Sequence, residues 1–401
     1  ILRLNVPDFV GFAQVPIKVL DASLMVALLL VLSVLSAAAQ STLPLTACAR
    51  DIGVSGAECG NLDVFEDREA GQGRVISLRI AVLPALSNEI KPDPLFLLAG
   101  GPGMGATDLA KMAQMHLRRI REQREIFLVD QRGTGDSNGL DCGDVDTDST
   151  YYNLGADYPY QALQDCMSGF DADLRLYTTP IAMDDLDDVR AALGYEVINI
   201  WGGSYGTRAA LVYLRRHEKH VRAVVVDGLA PPAIRLPLYV GEDARRALEL
   251  VFIDCATDVD CNGAFPHLRE TFQRLLERLE TSPEAVRAAH PRTGEMVDFE
   301  VGRDGVVLLL RAALYSADAT RLLPLIIQRA HDGDYGPLLA LSDPLADIDS
   351  YMSVGMLFSV LCAEDLSRIS ASDIATMAAE PLLGTTIMDT WGKVCGFWPQ
   401  G

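Results

Sequence analysis

The stretch Val197-Ile198-Asn199-Ile200-Trp201-Gly202-Gly203-Ser204-Tyr205-Gly206, running on through Thr207 to Arg216, decides the fold. Its first five residues are a short apolar run bounded by turn residues, the pattern of a buried strand. Thr207–Arg216 has helix-forming composition and a basic last turn, which suits the negative end of a helix. Between the two stands a serine flanked two residues away on either side by glycine. A serine on so sharp a strand-to-helix turn sits in strained backbone geometry with its hydroxyl lifted above the sheet edge, and only small residues fit at Gly202 and Gly206. Ser204 is the candidate nucleophile.

Working outward, Leu95-Phe96-Leu97-Leu98-Ala99 predicts an earlier strand that runs into Gly100-Gly101-Pro102-Gly103. In α/β-hydrolases a glycine-rich turn at this place supplies one amide of the oxyanion hole, and the residue after the nucleophile supplies the other. The donors here are the amides of Tyr205 and Gly101; Pro102 has no N–H to offer. A third apolar run, Ile126–Val129, leads into Asp130-Gln131-Arg132-Gly133-Thr134-Gly135-Asp136-Ser137. GGPG, DQRGTGDS and GGSYG in that order resemble the proline-iminopeptidase and tripeptidyl-aminopeptidase family of α/β-hydrolases, from about residue 45 to the last residue. Proline iminopeptidases carry His before GGPG. This chain has Ala99, so it looks more like the secreted tripeptidyl-aminopeptidase branch. Asp130 and Arg132 are read as organisers of their loop, not as catalysts.

Around these motifs Arg74–Leu83 alternates Ile76, Leu78, Ile80 and Val82 with more polar neighbours, which predicts a half-buried antiparallel strand. Helices are expected over Thr107–Arg124 and Met183–Leu193. The second opens with Asp184, Asp185, Asp187 and Asp188, read as a solvated start that complements the positive helix end rather than a metal cluster. Val221–Val226 predicts a further strand ending at Asp227-Gly228. From Leu236 strand signals give way to amphipathic helices, over His267–Thr281, Val301–Ser316 and Ala319–Ala330. The expected fold is an α/β-hydrolase: a mostly parallel sheet with a large helical cap inserted after the sixth strand. The expected domains are a leader over 1–39, the first part of the hydrolase core over 40–235, the cap over 236–395, and the start of a return to the core over 396–401.

The chain has 401 residues and a net charge of −21, from 55 acidic against 34 basic residues. That balance excludes the basic footprint that nucleic acid or an anionic membrane needs. Leu24–Ala39 is an uncharged run of 16 residues ending in three alanines. It is shorter than the roughly 20 apolar residues of a membrane span and reads as the core of an export signal, though its basic flank is thin and Lys18 is the nearest positive charge. A retained anchor is the alternative. The chain begins with Ile1, and Met25 is an internal start candidate that would leave no positive charge before the run. Eight cysteines fit an exported protein. Their spacing favours the local pairs Cys48–Cys59, Cys142–Cys166, Cys255–Cys261 and Cys362–Cys395, each closing a short loop, and none has the C-x-x-C spacing of a metal site. No cofactor and no metal is expected.

A serine nucleophile needs a base and the base needs a carboxylate, in the chain order Ser, Asp or Glu, His for this fold. The histidines are His116, His217, His220, His267, His290 and His331, and none follows a strand or sits in a Gly-His turn. His331 is the least unsuitable, and a cap helix places it poorly. In family members the segment resembling Cys395–Pro399 precedes the strand that delivers the catalytic Asp. The last strands are therefore expected to be missing, two βα units or on the order of 60 residues, and the chain as it stands is expected to be inactive.

The resemblance implies a secreted or periplasmic serine exopeptidase acting on peptides with a free N-terminus, without stable membrane association once the leader is removed. Glu364 and Asp365 are candidates for the anionic pocket that receives the ammonium group. The rival readings are an esterase or other small-molecule hydrolase on the same scaffold, and a non-catalytic binding remnant.

Overall fold

The computed structural model describes residues 43–48, 52–143, 158–290, 293–341 and 351–401; the leader reading over 1–39 lies outside them. Three runs that the sequence gives as uniformly apolar form the middle of the sheet. All four side chains of β4 (Leu95–Leu98) and of β5 (Ile126–Val129) are buried, as is the first half of β6 (Ile198–Gly203). β4 pairs in parallel with β5 on one side and β6 on the other, and β6 pairs in parallel with β7 (Val221–Asp227). On the far flank β3 (Val75–Leu83) joins β5 antiparallel, followed by β2 (Glu58–Phe65) and the short β1 (Thr46–Ala47). The spatial order is β1-β2-β3-β5-β4-β6-β7.

Alternate residues of each central strand feed two cores. Phe96, Leu98, Phe127, Val129, Ile198 and Ile200 face one way, where α2 (Thr179–Ala192) and α3 (Tyr205–Arg216) pack. Leu95, Leu97, Ile126 and Leu128 face the other, under α1 (Ala110–His116). Each buried side chain of this size contributes roughly 1.5–3 kcal/mol, so the motif-bearing strand ends are anchored from below on both faces. The single helix expected over Thr107–Arg124 is broken: a 3₁₀ turn at Ala106–Leu109 precedes α1, and a separate turn follows Leu117. At the β7 edge Val225 is 54% and Val226 39% exposed.

After β7 the chain builds a second core from α4 (Val240–Thr257), α5 (Leu268–Thr281), α6 (Arg303–Ala313) and α7 (Ala317–His331). Two corrections to the sequence reading appear here. Strand structure does not stop at Leu236, because β8 (Glu284–Ala289) and β9 (Met296–Val301) form an antiparallel hairpin. Nor do all residues to 395 belong with the insertion. α8 (Val354–Val360), Cys362, Val394, Cys395 and Trp398 pack into the main core, with the Phe358 and Trp398 rings tilted at 45° and their centroids 5.7 Å apart.

The pairs Cys48–Cys59, Cys142–Cys166, Cys255–Cys261 and Cys362–Cys395 are bonded in the structure. Among the described residues no helix is long and apolar enough to cross a membrane.

Candidate active site

Ser204 occupies the turn between β6 and α3 with φ 53° and ψ −121°, a region that non-glycine residues reach only when their surroundings enforce it. The enforcement is visible. The Ser204 amide donates to the Asp227 carbonyl of β7 (2.8 Å), and its own carbonyl accepts from the Thr207 amide (2.9 Å) and the Thr207 hydroxyl (2.6 Å). A methyl group at Gly202 would stand 2.2 Å from the Gly206 carbonyl oxygen, and one at Gly206 would stand 2.2 Å from that of Leu98. No side chain fits at either position, so strand, turn and neighbouring strand close tightly under the serine. The Ser204 side chain itself is exposed.

The glycine-rich turn lies alongside. A Cβ at Gly100 would come within 3.3 Å of the Ser204 Cβ and 3.7 Å of its Oγ. Tyr205 opens α3, and a first-turn amide has no acceptor within its helix. Gly101 follows Gly100 in the adjoining turn, so the two amides read as oxyanion donors sit on the two turns that meet at the hydroxyl. The Gly103 carbonyl accepts from the Ser353 amide at 3.0 Å, which ties this turn to the residues ahead of α8.

Asp130 and Arg132 organise this rim from inside. Asp130 accepts from the Thr107 amide (2.8 Å), the Thr107 hydroxyl (3.0 Å) and the Asp136 amide (3.3 Å), joining the GGPG turn to its own loop. Arg132, fully buried, donates twice to Asp185 (2.6 and 3.0 Å) and once to the Glu66 carbonyl (2.8 Å). Burial pushes the Asp130 carboxyl up to about 6 despite its three donors. A raised folded-state value means that stability is fully present below the ordinary carboxylate range and is lost as pH rises through about 6. Asp130→Asn removes that ionisation. The expected result is a variant that gains on the parent between pH 4 and 6 in urea unfolding and keeps a constant offset above; parallel profiles across that range would contradict the assignment.

Glu364 and Asp365, the candidates for the anionic pocket, belong to a polar cluster behind the nucleophile turn. They lie on a π-helical turn, Leu361–Asp365, with Asp365 buried and Glu364 part-exposed, and both carboxylates have partners within the protein. Asp365 is fully buried in a two-pronged pair with Arg208 (2.8 and 2.9 Å) and also accepts from the Leu236 amide (3.1 Å). Glu364 accepts from the Thr179 amide (2.6 Å) and hydroxyl (2.9 Å), and burial raises its pKa. Tyr205 completes the group: its phenol meets the Thr179 hydroxyl at 2.8 Å. Arg208, one helical turn beyond Ser204, was missed in the sequence. Its partner was noticed and given another task.

The acids of α2 are likewise not a solvated helix start. The helix begins at Thr179, five residues before Asp184, and Asp185 is buried against Arg132. His217 contacts Asp184 and His220 contacts Asp187, at the far end of α3 from Ser204. His331 contacts Asp332, His290 lies at the β8–β9 turn, His267 precedes α5 and His116 ends α1. The structure brings the nucleophile and the two glycine turns together.

The family model described as the alpha/beta hydrolase fold matches residues 93–295. The chain belongs to the α/β-hydrolase family. Among curated proteins it is 25% identical over 377 residues to the serine protease Hip1 of Mycobacterium tuberculosis, covering 86% of this chain and 71% of that protein. It is 30% identical over 313 residues to carboxylesterase B of the same species, covering 72% of this chain and 57% of that one. Tripeptidyl aminopeptidase of Streptomyces lividans is 39% identical over 95 residues, which is 23% of this chain and 18% of that enzyme.

Proposed function

We propose that this α/β-hydrolase is an exported serine exopeptidase that releases residues or short peptides from the free N-terminus of peptide substrates. The observation that carries the reading is an exposed serine held at φ 53° between two glycines that tolerate no side chain, beside a second glycine turn. In this reading Ser204 Oγ attacks the scissile carbonyl carbon, and the amides of Tyr205 and Gly101 take the charge that develops on its oxygen. The C–N bond then breaks, the amine leaves with a proton, and water releases the acyl group from the serine. The peptidase class draws support from the 25% identity to a serine protease over most of the chain, and the exopeptidase form from the aminopeptidase relative. Four disulfides support an oxidising compartment. The large negative charge makes nucleic acid a poor partner.

The carboxylesterase relative supports a second reading, ester hydrolysis on the same nucleophile. The test is turnover by the protein purified in native form from its source, using peptidyl anilides with free and blocked N-termini alongside p-nitrophenyl esters. Anilide release that requires a free N-terminus is the expected result. Turnover of esters alone overturns the peptidase reading and leaves the hydrolase assignment standing.

A further inference from the structure

At the end of α3 remote from Ser204, two histidines and two aspartates form a cluster that the hydrolase chemistry does not use. His217 and His220, spaced H-x-x-H, present parallel rings, with centroids 6.3 Å apart and planes 10° apart. Both direct Nδ1 at one carboxylate of α2. His220 Nδ1 lies 2.7 Å from Asp187 Oδ1, and His217 Nδ1 lies 3.6 Å from Asp187 Oδ2. On the opposite side of the His217 ring, Nε2 lies 2.9 Å from Asp184 Oδ1.

That last contact carries much of the argument. A neutral His217 that donates Nε2–H to Asp184 has its lone pair on Nδ1, facing Asp187. A carboxylate holding the outer nitrogen while the inner one faces a cation is the usual support of a metal-bound imidazole. Asp187 is prepared from outside in the same manner. Arg190 donates to both of its oxygens (2.7 and 3.1 Å) and the Tyr213 hydroxyl donates to Oδ1 (2.8 Å), which leaves room on Oδ2.

We propose that Asp187, His217 and His220 form a binding site for a divalent transition-metal ion, Zn²⁺ by the borderline softness of two imidazoles and one carboxylate. The three donor atoms lie within 4.8 Å of one another and their residues are half-buried. Tetrahedral Zn²⁺ with bonds of about 2.0–2.1 Å needs donors about 3.4 Å apart, so closure takes side-chain movements on the order of 1 Å. The ion replaces the proton between His220 and Asp187, and water completes its shell. Arg216, bound to Asp184 at 2.6–2.8 Å, and Arg190 stay as outer donors, and their charge moderates the affinity. Bound there, the ion staples α2 to the end of α3 and to the segment that enters β7, which stiffens the scaffold and takes no part in acyl transfer.

The test is calorimetric titration of Zn²⁺ into the metal-free, folded chain, with the visible spectrum of bound Co²⁺ and the thermal midpoint as independent readouts. One ion per chain is expected, with a raised midpoint that a chelator reverses. His217→Gln and His220→Gln each weaken binding at least tenfold, and Asp184→Asn weakens it about 10–100-fold, while circular dichroism stays at the parent level. Absence of heat, spectrum and thermal shift at millimolar ion in a folded chain overturns the proposal. So does binding of undiminished strength in a folded His217→Gln/His220→Gln double variant.

Discussion

Ser204→Ala is expected to abolish fluorophosphonate labelling and to lower peptide turnover by the native protein by about 10⁶-fold in kcat, the scale seen when a serine hydrolase loses its nucleophile. The fold should not register the change. The turn is held by the Ser204 amide and carbonyl rather than by Oγ, which has no hydrogen-bond partner among the described residues. Ser204→Gly separates geometry from chemistry. It removes the same nucleophile but relieves the φ of 53°, which is costly for any residue bearing a Cβ. The glycine variant should therefore be as inactive as the alanine variant and more stable by about 1–3 kcal/mol. Equal stability of the two, measured by urea unfolding, would mean that the turn is not strained. Substantial turnover by either would remove Ser204 from the mechanism.

The second large effect lies behind the nucleophile. Arg208 and Asp365 are 3% and 0% exposed and join the helix that starts at Ser204 to the π-helical turn near the end of the chain. Breaking a buried pair on one side leaves an uncompensated charge, so Arg208→Met or Asp365→Leu alone should lose about 3–5 kcal/mol. Asp365→Leu is expected to be the worse of the two, because the Leu236 amide loses its acceptor as well. Replacing both partners with apolar residues should recover most of the loss, since the interior then holds no unpaired charge. A double variant no more stable than the worse single one would show that the pair does more than neutralise itself.

What was legible in the sequence was what is local. The nucleophile turn, the glycine turn and the buried strands are each written in fewer than a dozen consecutive residues, because the steric demand at Gly202 and Gly206 is met by neighbours in the same motif. The pairs Cys48–Cys59 and Cys255–Cys261 close loops short enough to read by spacing. What stayed hidden depends on partners far along the chain. Asp185 looks like any acid in a helix until Arg132 arrives from 53 residues away, and Asp365 looks like a surface acid until Arg208 arrives from 157. The β8–β9 hairpin was hidden for another reason. Its strands carry Glu284, Arg287, Asp298 and Glu300, and a half-solvated two-stranded ribbon needs no continuous apolar run.

The exposed margin of β7 has a consequence for the molecule in bulk. Among the described residues β7 is the last strand on its side of the sheet, and its exposed valines at 225 and 226 make it a template on which another extended backbone can form hydrogen bonds. Lys219 and Arg222 near its beginning and Asp227 at its end are the charges along it, and Arg222 is paired with Asp93. They bracket the valine run without interrupting it. Self-association through this edge should therefore rise with concentration and respond to ionic strength.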